Sequence, residues 1–309
     1  MTETVITVSG LRRSYDEHEA VRGIDLEVRR GEVFAFLGPN GAGKTTTVEI
    51  MEGYRERDAG TVTVLGEDPS QGDRSWRGRI GIVLQECRME PVLTVRETLS
   101  LYAGYYETPR DVAETIDLVG MKPSADVRAG NLSGGQQRRL DVALALIGDP
   151  ELLFLDEPTT GFDPSARRQA WEVIASLRDL GKTVFLTTHY MEEAQFLADR
   201  VAIIRDGLIV AQGVPDQLGG REDAATTIRF VAPPGLDPEE LPVRAGDAAL
   251  RPSSNGGPAT VEIATGEPVV ALNALTGWAL ERGVALEGLE VSRPSLEDVY
   301  LELTRETAE

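Results

Sequence analysis

The spacing of hydrophobic residues predicts a core of buried strands joined by helices. Val33–Leu37 and Leu152–Leu155 are continuous apolar runs, which are typical of strands buried on both faces of a parallel sheet. Thr183–Thr187 is a third run of this kind. A glycine-rich turn follows the first run, and a helical pattern begins at Lys44. This alternation of strands and helices predicts an α/β fold.

The remaining apolar segments of the first two thirds predict antiparallel strands. We expect Val5–Val8 and Ala20–Val28 to be antiparallel strands of a mixed sheet. Val201–Ile204 and Leu208–Ala211 flank Asp206-Gly207, a dipeptide that favours a β-hairpin turn.

A helical pattern interrupts the strands between about residues 86 and 150. Thr94 and Glu97 have the spacing of a capping box, which marks the start of a helix. Asp111 and Gly120 suit the start and the stop of another short helix. A helical subdomain is therefore expected inside the α/β core.

Composition changes near residue 218. Residues 219–309 carry seven arginines, 16 acidic residues and no lysine, and glycine and proline are frequent up to residue 260. This pattern predicts short strands and turns. We expect a small C-terminal α+β domain over 219–309, after a first domain over 1–218.

Charge and cysteine content narrow the possible functions. The 309 residues include 31 Lys and Arg and 51 Asp and Glu, a net charge of −20. Nucleic-acid binding is disfavoured, because it depends on a basic surface. The one cysteine, Cys87, excludes an internal disulfide and a thiolate-rich metal site. No segment is apolar enough to cross a membrane and no secretory signal is evident, so we expect an intracellular protein.

The glycine-rich turn after Val33–Leu37 matches the phosphate-binding pattern G-x-x-x-x-G-K-[ST]. Its glycines allow backbone N–H groups to surround a phosphate, and the following helix presents its positive N-terminal end. Lys44 can reach the β- and γ-phosphates, and the Thr45 hydroxyl can coordinate Mg²⁺. The expected ATP-binding residues are Gly38, Pro39, Asn40, Gly41, Ala42, Gly43, Lys44, Thr45 and Thr46.

A second motif, LSGGQ, precedes the helical run that includes Leu140–Ile147. Its serine and its glycine pair, at a helix start, form a second potential anion site. At this motif the chain resembles the ATP-binding subunits of ABC transporters. The resemblance implies that the segment binds the γ-phosphate of an ATP held by the opposite subunit of a dimer. The residues concerned are Ser133, Gly134, Gly135 and Gln136.

Two carboxylates, Asp156 and Glu157, directly follow the apolar run Leu152–Leu155. The end of such a strand is the edge of the sheet at which α/β folds bind ligands. Asp156 is expected to hold Mg²⁺, and Glu157 to orient or deprotonate the attacking water. The resemblance likewise implies that Glu157 is the catalytic glutamate.

Four single residues complete the resemblance to the family. It implies that Gln85 contacts Mg²⁺ and the water and relays movement to a membrane partner. His189, at the end of a strand, corresponds to the histidine that contacts the γ-phosphate. Tyr15 corresponds to an aromatic residue that stacks on adenine, and a core tyrosine is the alternative. Asp163 corresponds to the D-loop aspartate at the dimer interface, although Phe162 stands where the family usually has leucine.

The tail from Ser292 to Thr304 resembles the C-terminal end of the daunorubicin/doxorubicin-resistance type of drug exporter ATPases. An acidic amphipathic helix that packs on its own domain is the alternative interpretation. The whole pattern implies a P-loop ABC ATPase with a mixed sheet, a helical subdomain and a small C-terminal domain.

The expected function is ATP hydrolysis that powers a separate membrane permease, for export of a drug, antibiotic or other hydrophobic compound. The resemblance implies a homodimer with ATP and Mg²⁺ between the subunits, at the cytoplasmic face of the plasma membrane. Two alternatives stay open. The first is a translation factor that acts on the ribosome, although such factors commonly have two cassettes and basic linkers. The second is a regulatory module that only binds ATP, although such a module needs none of Gln85, Glu157 and His189.

Overall fold

The chain folds into two units, Met1–Pro215 and Asp216–Glu309. The computed structural model describes residues 3–84, 90–218, 225–233, 235–237, 240–242, 248–251, 259–292 and 296–305. In this part of the chain, no helix has the length and the apolar composition needed to cross a membrane.

The larger sheet of the first unit is mixed, as the apolar runs predict. Its strands lie in the order β5-β6-β7-β3-β8-β9, and all neighbours are parallel except β8 and β9. The hairpin predicted at Asp206-Gly207 joins these last two, and both turn residues have positive φ. The strands are β3 (Val33–Leu37), β5 (Ile80–Val83), β6 (Leu152–Asp156), β7 (Thr183–Thr188), β8 (Arg200–Arg205) and β9 (Leu208–Gly213).

The first two strands belong to a separate antiparallel sheet, and not to the mixed sheet as expected. Its order is β2-β1-β4, with β1 at Thr4–Tyr15, β2 at His18–Arg29 and β4 at Ala59–Val64. In β2, buried and less buried positions largely alternate, whereas every residue of β3 is buried. Alternation is typical of a sheet that buries one face, which is the physical reason for the difference.

Helices flank and interrupt the larger sheet. The capping box of Thr94 and Glu97 is present, and Asp111 caps the next helix through the Glu114 N–H, both as predicted. The helices of the first unit are α1 (Lys44–Met51), α2 (Arg74–Gly78), α3 (Val95–Ala103), α4 (Val112–Leu118), α5 (Gly134–Leu146), α6 (Pro164–Asp179) and α7 (Met191–Leu197).

The second unit is a small α+β structure. Its antiparallel sheet has the order β11-β12-β10-β13, and α8 (Pro268–Arg282) contributes the buried Leu275 to its core. A final helix, α9, spans Leu296–Arg305. The strands are β10 (Thr226–Val231), β11 (Ala248–Arg251), β12 (Thr260–Thr265) and β13 (Glu290–Ser292).

Trp76 connects α2 to the antiparallel sheet of the first unit. Its side chain is buried, and its indole Nε1 donates a 2.9 Å hydrogen bond to the Val64 carbonyl at the end of β4. In contrast, the buried Nε1 of Trp278 in α8 has no hydrogen-bond partner among the described residues.

We predict that Trp76→Phe lowers the free energy of unfolding of the first unit by about 1–3 kcal/mol, because a buried hydrogen bond and packing volume are lost. Trp278→Phe is the matched control and is expected to cost less, since it removes no hydrogen bond. Urea unfolding of both variants measures the difference, and equal losses would contradict the prediction.

Candidate active site

Two glycines of the phosphate loop lie so close to neighbouring backbone that a side chain would not fit. A Cβ atom at Gly38 would lie 2.4 Å from the Ile204 carbonyl oxygen, and one at Gly43 would lie 2.3 Å from that of Ala20. Gly43 also has φ of +104°, which favours glycine. These contacts hold the loop between β3 and α1 against two neighbouring strands, as a phosphate-binding loop requires.

The N-terminus of α1 offers donors to an anion. No side chain caps this helix, so its first N–H groups are free of a side-chain acceptor. Thr45 in the first turn is exposed and Thr46 is half-buried. The predicted phosphate-binding residues thus form one continuous loop and helix start.

Lys44 points its ammonium group toward the edge of the larger sheet. Its Nζ donates to the carbonyl oxygens of Gly38 and Pro39, at 2.8 and 3.2 Å, and lies 3.7 Å from Glu157 Oε1. Burial lowers the pKa of Lys44, whereas the carboxylates of Glu157 and Asp156 oppose this effect. The ammonium is therefore preorganised beside the loop, where charge on a transferred phosphoryl group would develop.

Thr187 holds the carboxylate of Asp156 and the backbone of Glu157 at the end of β6. Its hydroxyl donates a 2.5 Å hydrogen bond to Asp156 Oδ1 and accepts a 3.0 Å hydrogen bond from the Glu157 N–H. Asp156 and Thr187 are directly paired in the parallel register of β6 and β7. Sequence reasoning missed Thr187, because a threonine at the end of an apolar strand carries no signal of its own.

Glu157 is the centre of the cluster. Its backbone has φ of +45°, an uncommon conformation for a residue other than glycine. Thr160 donates to its Oε2 at 3.0 Å, and His189 Nδ1 lies 3.3 Å from its Oε1 without the alignment of a hydrogen bond. The structure thus brings together Lys44, Glu157 and His189, which are distant in the sequence.

Tyr15 lies beside the phosphate loop. Its hydroxyl is 3.4 Å from Thr46 Oγ1, and the guanidinium groups of Arg13 and Arg55 lie 5.1 and 5.3 Å from the centre of its ring. The ring is half-buried. This position agrees with the expected stacking on a base, which stays a prediction.

The LSGGQ segment forms a helix start of its own. Ser133 caps α5 in a capping box with Gln136, whose side chain also donates to Ser124. Ser133 itself is exposed, and its described hydrogen bonds lead to Gln136 and not to the cluster around Lys44. Asp163 similarly caps α6 by accepting from the N–H groups of residues 165 and 166.

Two further expectations concern Mg²⁺ binding: one assigns Gln85 as a ligand, and the other assigns Asp156 together with Thr45. Gln85 lies outside the described residues. No group of three or more His, Cys, Asp and Glu that could hold a metal ion occurs in the described part of the chain. Mg²⁺ does not need one, since one or two carboxylates together with substrate phosphates are its usual ligands. Asp156 and the exposed hydroxyl of Thr45 suit such a site.

Comparisons with known families identify both units. The ABC transporter family matches residues 21–160, which include the phosphate loop, the LSGGQ segment and Glu157. The family described as the C-terminal domain of ABC transporter domain-containing protein-like proteins matches residues 226–295.

Relatives match over almost the whole chain. Nod factor export ATP-binding protein I of Burkholderia pseudomallei (strain K96243) is 37% identical over 98% of both chains. The protein of the same name from Rhizobium sp. (strain N33) is 38% identical over 98% of both chains. These names mention Nod factor and not daunorubicin, so the resemblance is confirmed for the ABC transporter ATP-binding subunit but not for the drug-exporter type.

Solved structures show the same fold. cbiO1 of Clostridium perfringens, described as part of the ABC transporter complex cbiONQ, has a TM-score of 0.63 at 28% identity and covers 70% of this chain and 90% of its own. The ATP-binding cassette MJ0796, in a dimeric state bound to ADP and Pi, has a TM-score of 0.60 at 24% identity and covers 68% of this chain and 98% of its own. This chain therefore belongs to the ABC transporter family, as an ATP-binding subunit that hydrolyses ATP.

Proposed function

We propose that this chain is the ATPase subunit of an exporter, and that two copies power a separate membrane permease. The observation that carries the proposal is the convergence of Lys44, Asp156, Glu157 and His189 at the carboxyl edge of one sheet. This arrangement places a cation, two carboxylates and an imidazole beside a phosphate-binding loop. Such a set suits phosphoryl transfer to water.

In the proposed mechanism, Lys44 stabilises charge on the transferred phosphoryl group. Glu157 accepts a proton from the attacking water, and His189 contacts the γ-phosphate from the neighbouring strand end. Thr45 and Asp156 would hold Mg²⁺, with Gln85 as a further ligand. When bound, the metal ion would neutralise part of the phosphate charge. Thr160 and Thr187, which bond to Glu157, orient the base.

The proposed site is completed by a second copy of the chain. Ser133 and Gly134 are exposed at the start of α5, Gly135 is half-buried, and the described side-chain hydrogen bonds of Ser133 lead to Gln136 and not to Lys44. A segment that suits an anion, and whose described hydrogen bonds do not lead to its own phosphate loop, is suited to the ATP of a partner. Asp163, exposed at the start of α6, is proposed to lie at the same interface.

A groove in the first unit is the proposed contact with the permease. Its volume is about 450 Å³, and its walls include the residues that follow α1 together with parts of α2, α3, α5 and β5. Tyr54 is 73% exposed and Tyr102 is 41% exposed, although aromatic side chains of this size favour burial. Burial raises the pKa of Glu52, which also lines the groove, to about 8. The mixture of exposed rings and a buried carboxyl suits a docked protein segment.

Two classes of cargo are proposed. The sequence of the tail favours a drug, antibiotic or other hydrophobic compound. The relatives named for Nod factor export favour a cargo related to Nod factor. Their names also support export as the direction of transport. Either cargo places the ATPase at the cytoplasmic face of the plasma membrane, bound through the permease. The chain has one phosphate loop and one LSGGQ motif and matches 98% of the length of these relatives, which disfavours a translation factor with two cassettes.

We predict that Glu157→Gln binds Mg²⁺-ATP but does not turn it over, because the amide cannot accept the proton. The ATP-bound variant is expected to become a dimer, since hydrolysis no longer opens the proposed sandwich. Light scattering coupled to size exclusion, with and without ATP, measures this change. A hydrolysis rate equal to that of the unaltered chain would contradict the assignment of the base.

Two controls accompany this experiment. Glu192→Gln makes the same chemical change at an exposed residue and should hydrolyse ATP at the normal rate. Lys44→Ala removes the phosphate contact and should lose both ATP binding and dimerisation. If Lys44→Ala still dimerised with ATP, the phosphate-loop assignment would fail.

For the groove, Tyr102→Asp is expected to abolish binding to vesicles of the native membrane while the ATPase activity of the isolated chain persists. A charge in the groove opposes apolar docking, whereas the reacting groups lie elsewhere. Leu180→Asp, at an exposed apolar residue outside the groove, is the matched control. Sedimentation with the vesicles measures binding, and equal sedimentation of both variants would contradict the proposed surface.

The proposed boundary at about residue 218 predicts that a chain of residues 1–218 keeps nucleotide binding. All the assigned ATP-binding residues precede this position, and residues 216–309 form a unit of their own. Titration with a fluorescent ATP analogue measures the affinity, which should stay within about twofold of that of the full chain. A truncated chain that is insoluble or does not bind ATP would move the boundary.

A further inference from the structure

Arg138 in α5 is a buried arginine whose guanidinium group contacts backbone carbonyl groups and lies 3.8 Å from the Asp141 carboxylate of the same helix. Its Nε donates to the Pro158 carbonyl at 3.0 Å, and its Nη2 donates to the Asp156 carbonyl at 2.8 Å. The same Nη2 lies 3.4 Å from the Glu157 carbonyl, and Nη1 donates to that of Leu84. One side chain thus joins the helix capped by Ser133 to the end of β6 and the turn after it, which carry the two site carboxylates.

The turn that Arg138 contacts has an unfavourable backbone conformation. The φ of +45° at Glu157 is strained for a residue other than glycine and persists only where the surroundings enforce it. Thr187 constrains the turn from β7 through the Glu157 N–H. Arg138 constrains the same turn from α5, by donating to the carbonyl groups of three consecutive residues, 156 to 158.

We propose that Arg138 is a positioning residue for ATP hydrolysis, which holds the left-handed turn at Glu157 so that its carboxylate stays beside Lys44. The inference deepens the proposed function, because it rests on the role assigned to Glu157. It also gives the helix of the LSGGQ segment a direct contact with the backbone that carries the hydrolytic carboxylate of the same chain. A displacement of α5 would therefore move the base.

The geometry requires the forked shape of arginine. Three different guanidinium nitrogens bond to carbonyl groups on two segments, the residues at the end of β6 and Leu84. A lysine carries one ammonium on a flexible stem and cannot reproduce this fork. The neighbouring Arg139 provides the contrast, since its Nη1 donates a 3.4 Å hydrogen bond to the Gly120 carbonyl, away from the site.

The test compares Arg138→Met and Arg138→Lys with the matched control Arg139→Met in the full chain. For both Arg138 variants, kcat is expected to fall by about 10- to 100-fold, because small displacements of a reacting group have effects of this size. The affinity for a fluorescent ATP analogue should change by no more than about twofold, since the phosphate loop is untouched. The Arg139 variant should keep both quantities.

Two measurements separate positioning from a general structural effect. Hydrogen–deuterium exchange should accelerate in residues 156–160 of the Arg138 variants, with little change in β3 and α1. Guanidinium or ethylguanidine added to an Arg138→Ala variant should restore part of kcat by occupying the space of the lost group. Rescue of this kind would not follow from a general loss of stability.

The possible outcomes decide the proposal. A kcat within about twofold of the normal value overturns it, as does an equal loss of ATP affinity and kcat. If none of the Arg138 variants folds, the residue acts in folding and the proposal also fails. If Glu157→Gln hydrolyses ATP normally, the proposed base is wrong, and exchange at residues 156–160 still reports whether Arg138 holds the turn.

Discussion

The contact between the Lys44 ammonium and the Glu157 carboxylate is the interaction on which the site depends. Both groups are largely buried, with side-chain exposures of 6% and 11%, so their attraction is stronger than it would be in water. An uncompensated charge at either position would be costly. The surrounding polar groups reduce this cost: the carbonyl groups of Gly38 and Pro39 accept from the ammonium, and Thr160 donates to the carboxylate.

The parallel register of the larger sheet brings these groups together. Leu37 of β3 pairs with Thr188 of β7, and Asp156 of β6 pairs with Thr187. Three strand ends that are far apart in the chain therefore stop at the same level, and the residues that follow them meet at one edge. The glycines of the phosphate loop complete this arrangement, because any larger residue at Gly38 or Gly43 would meet neighbouring backbone.

The first unit separates the chemistry from the expected contacts with other chains. Reacting groups lie at or just after the ends of β6 and β7 and at the start of α1, whereas the exposed LSGGQ segment and the groove that includes Tyr102 belong to the helical insert or border it. Arg138 is the described side chain that bonds across from α5 to the turn at Glu157. Coupling between a partner and hydrolysis needs a physical connection of this kind, since movement of a helix affects the reaction only through groups that touch the site.

The sequence by itself determined the fold class, the phosphate loop, the hairpin at Asp206-Gly207 and the cap at Thr94, because each depends on local backbone chemistry or on a short spacing. The assignment of the first two strands to a separate sheet required the structure, since pairing partners are chosen over long distances. Tertiary structure also decided which side chains support Glu157. Thr187 and Arg138 have no local signature, and their roles arise only because folding places a β-strand and a helix on either side of one strained turn.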